Sequence, residues 1–249
     1  MGERCGLWVY GVLAGDVPGP PPCRGVDRIH GVELVRYAGL AAAASRVPLD
    51  RFGAVGLRES LEDMRTLEAL ARGHEHVLDE ALRIGAVVPF SMCTVYERED
   101  AVRAMLAREH DALASTLRRL RGMAEWGVKG YIAEDEPDAV APPASGAEYF
   151  ARRRAGRDAA RAREGAVESV HEQLRAQAAD AVLIPSQNPR LSARGGRMLL
   201  NAAYLVADAE SDAFAALVAD LGRRHRRDGI ELELTGPWPA YHFTEPRAA

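Results

Sequence analysis

The chain has 249 residues, 47% of them hydrophobic and 27% charged, with 32 Lys+Arg against 36 Asp+Glu and a formal net charge of -4. This is ordinary for a soluble globular protein of one large or two small domains, and the average surface gives no reason to expect nucleic acid or a membrane as partner. Cys5, Cys23 and Cys93 are odd in number, widely spaced and without a C-x-x-C pair, which does not read as a disulfide framework or a zinc site and fits a reducing cytoplasm.

The N-terminal MGERCGLWVYGVLAG holds an apolar run too short for a membrane span and lacks a signal-type basic region. Its LWVYGVL, residues 7–13, predicts a strand. GDVPGPPPCRG then predicts a mobile loop, because neither helix nor central strand tolerates that density of Pro and Gly. HGVELVRYAGLAAAASRVPLD predicts two strands joined near Gly39, although AAAAS alone favours helix.

From Ser60 the period changes to three and four, through Leu61, Met64, Leu67, Leu70, His74, Val77, Leu78, Ala81 and Leu82. That spacing predicts an amphipathic helix, with Ser60 and Asp63 as a capping pair. AVVPFSMCTVY (86–96) reads as a strand interrupted by Pro89. A second helix is expected from Glu99, with Val102, Leu106, Leu113, Leu117 and Leu120 on its stripe.

EWGVKGYIA predicts a strand and EDEPDAVAPPASG a loop. Residues 147–180 contain no proline, and a helix over them would span roughly 50 Å. Its stripe of Ala155, Ala159, Ala162, Ala166, Val170 and Leu174 is thin, so it is expected to project from the body or to lie along another helix or a partner. AVLIPS predicts a short strand, NPRLSARGG a turn-rich connection and MLLNAAYLV a buried strand. DAFAALVADLGRRHRRDG predicts a helix closing at Gly229, and IELELTGPWPAY a last strand ending against Pro237. The second half thus orders strand, helix, strand, strand, helix, strand, the ferredoxin-like split β-α-β pattern. The expected fold class is α+β in two domains, 1–122 and 123–249.

Lys129 is the only lysine; every other Lys+Arg position is arginine. A desolvated lysine can serve as a base or a Schiff-base former. The alternative is structural: with period two, Trp126, Val128 and Ile132 fall on one face of a strand, and Glu125, Lys129 and Tyr131 on a wet face, where Glu125 and Lys129 could form a weak ion pair. RGHEHVLDE offers His74 and His76, but a helical zinc pair needs spacing i and i+4, and these two diverge by about 200°. His74 on the apolar stripe therefore reads as a satisfied, partly buried ring. No G-x-S-x-G, G-x-G-x-x-G or phosphate-loop pattern occurs, and Cys93 reads as a small core residue in a strand.

Two arginine clusters remain, RRRAGRDAARAR (152–163) and RRHRR (223–227). Solvated helix faces compete with partner contact as their explanation, and the candidate partner-binding residues are Arg152, Arg153, Arg154, Arg157, Arg223 and Arg224. No catalytic, cofactor-binding or metal-ligating residue is assigned. The rival readings are a small enzyme using Lys129 and Glu125, or a metal at His74, and a nucleic-acid-binding regulator using RRHRR.

WVYGV, VELVRYAGLAAAASRVP, LEALARGHEHVL, VVPFSMCTVY, EWGVKGY, YFARRRA, MLLNAAYLV and LTGPWPAY follow one another from about Leu7 to Tyr241. In this order they resemble the gas vesicle accessory family GvpF/GvpL. The resemblance implies a non-enzymatic, cytoplasmic, gas vesicle-associated protein of two domains, the second a modified ferredoxin-like fold. It also implies as partners the small hydrophobic shell subunit and other accessory proteins. One departure is Ser91, where the family usually has arginine after the position of Phe90.

Overall fold

The structure, a computed structural model, describes residues 4–132, 145–185 and 197–244. The NPRLSARGG connection, and EDEPDAVAPPASG apart from Ser145 and Gly146, lie outside the described residues. The chain is α+β and divides into two compact units, Met1–Met123 with Trp238–Ala249, and Ala124–Pro237.

The first unit is built on β1 (Cys5–Ala14), β2 (Val32–Tyr37), β3 (Leu40–Pro48), β4 (Val87–Pro89) and β5 (Val95–Tyr96). Their order is β2-β3-β1-β4, with β5 also pairing to β1. β1 is the centre: it pairs antiparallel with β3 on one side and with β4 and β5 on the other. Eight consecutive positions of it are buried, because both faces of the sheet are covered. The AAAA run of β3 is fully buried between β1 and β2. Pairing on both edges there overrides alanine's helix propensity. Ala38 and Gly39, both at positive φ, make the two-residue turn between β2 and β3, and glycine takes that conformation without steric cost.

The loop after β1 is pinned to the sheet. Tyr10 Oη accepts from the Val26 N–H at 2.9 Å and shares a 2.7 Å hydrogen bond with Ser45 Oγ. A Cβ on Gly25 would stand 2.1 Å from Ser45 Oγ, so only glycine permits this approach. Burial raises the Tyr10 phenol to about 12, leaving it a neutral hydrogen-bonding group.

α1 (Leu49–Phe52) and α2 (Ala54–Glu62) precede the long α3 (Met64–Ile84). The expected start at Ser60 is corrected here, since Ser60 lies inside α2. Asp63 is the N-cap of α3, accepting from Arg65 N and Thr66 N; an extended cap residue with a short acceptor satisfies donors that the first turn leaves free. Leu70, Val77, Leu78 and Ala81 of α3 pack with Trp8, Tyr10, Leu13, Ala43 and Val47 of the sheet.

The single helix expected from Glu99 is two, α4 (Glu99–Arg108) and α5 (His110–Leu120). Glu109 leaves helical geometry at φ -97, ψ 10. α4 touches β2, β3 and β5, whereas α5 touches β1 and β4. A twisted sheet presents those strands at different angles, so one straight rod would not cover them all. Pro89 ends β4, and Cys93 lies in the turn that follows, at φ 70. It is thus not a strand residue, although it does pack against the core cluster. The closing segment groups with this unit: Arg119 donates to the Phe243 carbonyl, Thr116 Oγ1 donates to the Thr244 carbonyl at 3.2 Å, and Phe243 is buried.

The second unit runs β6 (Met123–Ile132), α6 (Gly146–Ala176), β7 (Asp180–Leu183), β8 (Arg197–Ala207), α7 (Ser211–His225) and β9 (Ile230–Trp238). Its sheet has the order β7-β8-β6-β9, in which β6 and β8 are central, as split β-α-β topology requires. Val128, Leu200, Ala202, Tyr204 and Val206 pack against Val167, Val170 and Leu174 of α6 and Phe214, Val218 and Leu221 of α7. Gly229, at φ 75, releases the chain from the 3-10 turn after α7, and β9 runs one residue past Pro237 to Trp238.

Candidate partner surface

Each residue singled out for chemistry can be placed. His74 is 2% exposed. Its Nδ1 accepts from Trp8 Nε1 at 3.0 Å and its Nε2 lies 3.0 Å from the Phe90 carbonyl oxygen. The indole N–H is donor only and the carbonyl acceptor only, so the ring is the neutral Nε2–H tautomer. Burial lowers its pKa from the usual histidine value, with the Phe90 carbonyl opposing. Both ring nitrogens are thus occupied by protein partners, while His76 is exposed. Among the described residues no three His, Cys, Asp or Glu side chains are grouped so as to hold a metal ion.

Glu125 departs from the wet face expected for it, at 3% exposure. Lys129 remains half-exposed on the same strand. Four residues of β-strand separate their Cα atoms by about 13 Å, so the neutralising pair expected between them is corrected: strand residues i and i+4 share a face without touching. Burial pushes the Cys93 thiol up from its ordinary pKa, which disfavours the thiolate a nucleophile needs.

The arginine cluster of the first part of α6 has a different setting. Ser145 caps this helix, accepting from Glu148 N at 3.2 Å. Burial begins only at Val167, so Ala155, Ala159 and Ala162 of the thin alanine stripe are exposed. At about 100° per residue, Arg153, Arg154 and Arg157 fall on one face, opposite those alanines. Arg152 points elsewhere and pairs with Glu148 at 2.5 Å. Among the described residues Arg153, Arg154 and Arg157 form no ion pair.

Sequence reasoning missed Tyr149 and Phe150. They are 48% and 67% exposed and stack edge to face at 5.6 Å. Phe150 precedes Arg153, Arg154 and Arg157 by three, four and seven residues, so it lies on their face. The signal was present in YFARRRA, directly ahead of the cluster. Large aromatics beside arginines are the composition enriched at protein interfaces.

Arg223 and Arg224 of α7 are exposed but locally engaged. Both pair with Asp220, Arg223 at 3.2 Å, in the last turns of the helix, where cations complement the macrodipole. No helix among the described residues is long and apolar enough to cross a membrane.

These features define an α+β protein of two units, the second ferredoxin-like, whose candidate residues concentrate on an exposed aromatic and basic helix face. Residues 6–245 match the family model described as gas vesicle synthesis protein GvpL/GvpF, and the chain belongs to that family. Gas vesicle protein L of Streptomyces sp. (strain CB03234) is 36% identical over 230 residues, covering 86% of this chain and 85% of the relative. Gas vesicle protein F1 of Halobacterium salinarum is 26% identical, covering 96% and 92%. The crystal structure of GvpF from Anabaena sp. PCC7120 has the same fold, with a TM-score of 0.73 at 17% identity over 98% of each chain. That of GvpF from Microcystis aeruginosa gives 0.71 at 18%, covering 97% and 99%.

Proposed function

We propose that this chain acts in the cytoplasm as a non-enzymatic, chaperone-like assembly factor, binding the gas vesicle shell subunit and other accessory proteins as the vesicle forms. The observation that supports it is the α6 face where exposed Phe150 stands among Arg153, Arg154 and Arg157. An unassembled apolar subunit exposes surface that aggregates. A partner presenting an aromatic anchor ringed by cations covers such surface while remaining hydrated itself. Arg223 and Arg224 belong to a second basic face of this reading.

Co-purification of the tagged chain with the shell subunit, expressed together and separately, tests it. A soluble complex is expected, with the shell subunit insoluble alone. The Arg153→Glu, Arg154→Glu, Arg157→Glu triple variant, which spares the Arg152–Glu148 pair, should weaken the complex while leaving the thermal midpoint nearly unchanged. Unaltered affinity in that variant removes the α6 cluster from the surface, and independent elution of the two proteins ends the shell-subunit reading.

A further inference from the structure

The joint between α4 and α5 carries a feature of its own, confined to the first unit. His110 is the first residue of α5. Its Nε2 lies 3.0 Å from the Ala38 carbonyl oxygen and its Nδ1 3.0 Å from Asp111 Oδ1. A carbonyl and a carboxylate only accept, and a neutral imidazole has a single N–H to give. Both bonds therefore exist together only in the imidazolium, which carries a proton on each nitrogen. The Ala38 bond is the long-range one, reaching across 72 residues to the β2–β3 turn. Ala38 stands there at φ 43, a left-handed conformation that a side chain disfavours. The other half of the turn is held independently, the Gly39 carbonyl accepting from the Gly15 N–H at 2.7 Å. Between turn and joint lies an open groove of about 580 Å³, lined by Tyr37 and Ala38 on one side and by residues 107–112 on the other.

We propose that His110 is a proton-operated clasp: protonated, it ties the β2–β3 turn to the α4–α5 joint, and on losing its proton it releases Ala38 and opens the groove between them. Deprotonation leaves one N–H for two acceptors. The ionised carboxylate is the stronger acceptor, so the remaining proton stays on Nδ1, and Nε2 then meets the Ala38 carbonyl lone pair against lone pair. Of the other charged groups on the surrounding elements, Arg108 and Glu109 pair with each other at 2.9 Å, and Arg103 pairs with Glu99 and Asp100 within α4. Arg36 of β2 donates to the Gly15 and Val17 carbonyls, and Tyr37 adds a phenol at the groove. Asp111 is thus the carboxylate that answers to the charge on the ring. Its hydrogen bond first, and then that of the Ala38 carbonyl, raise the His110 pKa above the usual histidine value, with desolvation opposing. The clasp is complete below about 6.5 and is lost as pH rises through the folded value above it. His74 works in the opposite sense, being perturbed only as pH falls, so the range above 6.5 isolates His110.

NMR of the full chain between about pH 6 and pH 9 tests the clasp. The His110 ring is expected to titrate with a midpoint above 6.5. The Gly39 amide nitrogen, bonded to the Ala38 carbonyl carbon, should shift with the same midpoint, and the Tyr37 ring signals should follow it. Asp111→Asn should lower both the His110 and the Gly39 midpoints; Asp111 is fully exposed, so its replacement leaves the fold intact. His110→Gln, whose amide donates to the Ala38 carbonyl at every pH, should abolish the Gly39 titration and leave signals far from the joint unchanged. A Gly39 signal indifferent to pH in the wild type, or one that still titrates in His110→Gln, overturns the clasp. A ring midpoint at or below 6.5, or one unmoved by Asp111→Asn, does the same.

Discussion

Replacing His74 by phenylalanine tests the buried polar bridge of the first unit. The ring shape is kept, so little cavity forms, but the Trp8 indole N–H and the Phe90 carbonyl both lose their partner. Each buried group left unsatisfied costs about 1–3 kcal/mol, and the pair therefore about 2–6 kcal/mol. The same bridge makes the fold acid-sensitive. The His74 pKa is lowered in the folded chain, so as pH falls the unfolded chain takes up its proton first. Stability is complete above the unfolded value of about 6.5 and is lost as pH falls below it. Between pH 7.5 and 5.5 the loss reaches as much as about 1.4 kcal/mol if the folded ring stays neutral throughout. Protonated Nδ1 would also oppose one donor to another at Trp8. Urea unfolding followed by tryptophan fluorescence at both pH values measures the two effects. The variant should be less stable at pH 7.5 and lose less stability at pH 5.5 than the wild type does. Equal stability at pH 7.5, or the same drop in both proteins, would refute the bridge.

Further outcomes follow from the same structure. Gly25→Ala drives a methyl into Ser45 Oγ and Tyr10 Oη; thermal denaturation should show a loss of about 1–3 kcal/mol, the usual cost of overpacking, and an unchanged midpoint would mean that the loop is not pinned there. Asp63→Ala removes the α3 cap and should lower the thermal midpoint, with Asp63→Asn restoring most of it because either side chain accepts from the first turn. Lys129→Met should yield a folded chain that still supports vesicle formation, scored by buoyancy of the host cells; complete loss of function in that folded variant would favour the rival enzyme reading.

Much of the local structure was legible because it rests on local physics. The β2–β3 turn at Gly39, the α3 stripe that runs through buried Leu70, His74, Val77, Leu78 and Ala81, and the closure after α7 at Gly229 each depend on residues within a few positions of one another. The strand and helix order of the second unit follows from such periodicities, and with it the ferredoxin-like expectation. The family was legible from motifs strung along the whole chain.

Tertiary structure decided what local pattern leaves open. The stripe from Val102 to Leu120 is continuous in sequence, yet the chain leaves helical geometry at Glu109, and two helices resting on different strands stand where one was expected. Period two assigned Glu125 to a wet face, but whether a strand face meets water depends on what packs over it. Lys129 and Glu125 share a face four residues apart, and only a helix would bring that spacing into contact. His74 was readable as buried, whereas its partners, Trp8 and Phe90, are distant in sequence and only the fold brings all three together. The arginines of α6 were visible as a run of charge. That Phe150 stands exposed among them follows from where the helix leaves the core, which is a property of the packed sheet and its two helices rather than of α6 alone.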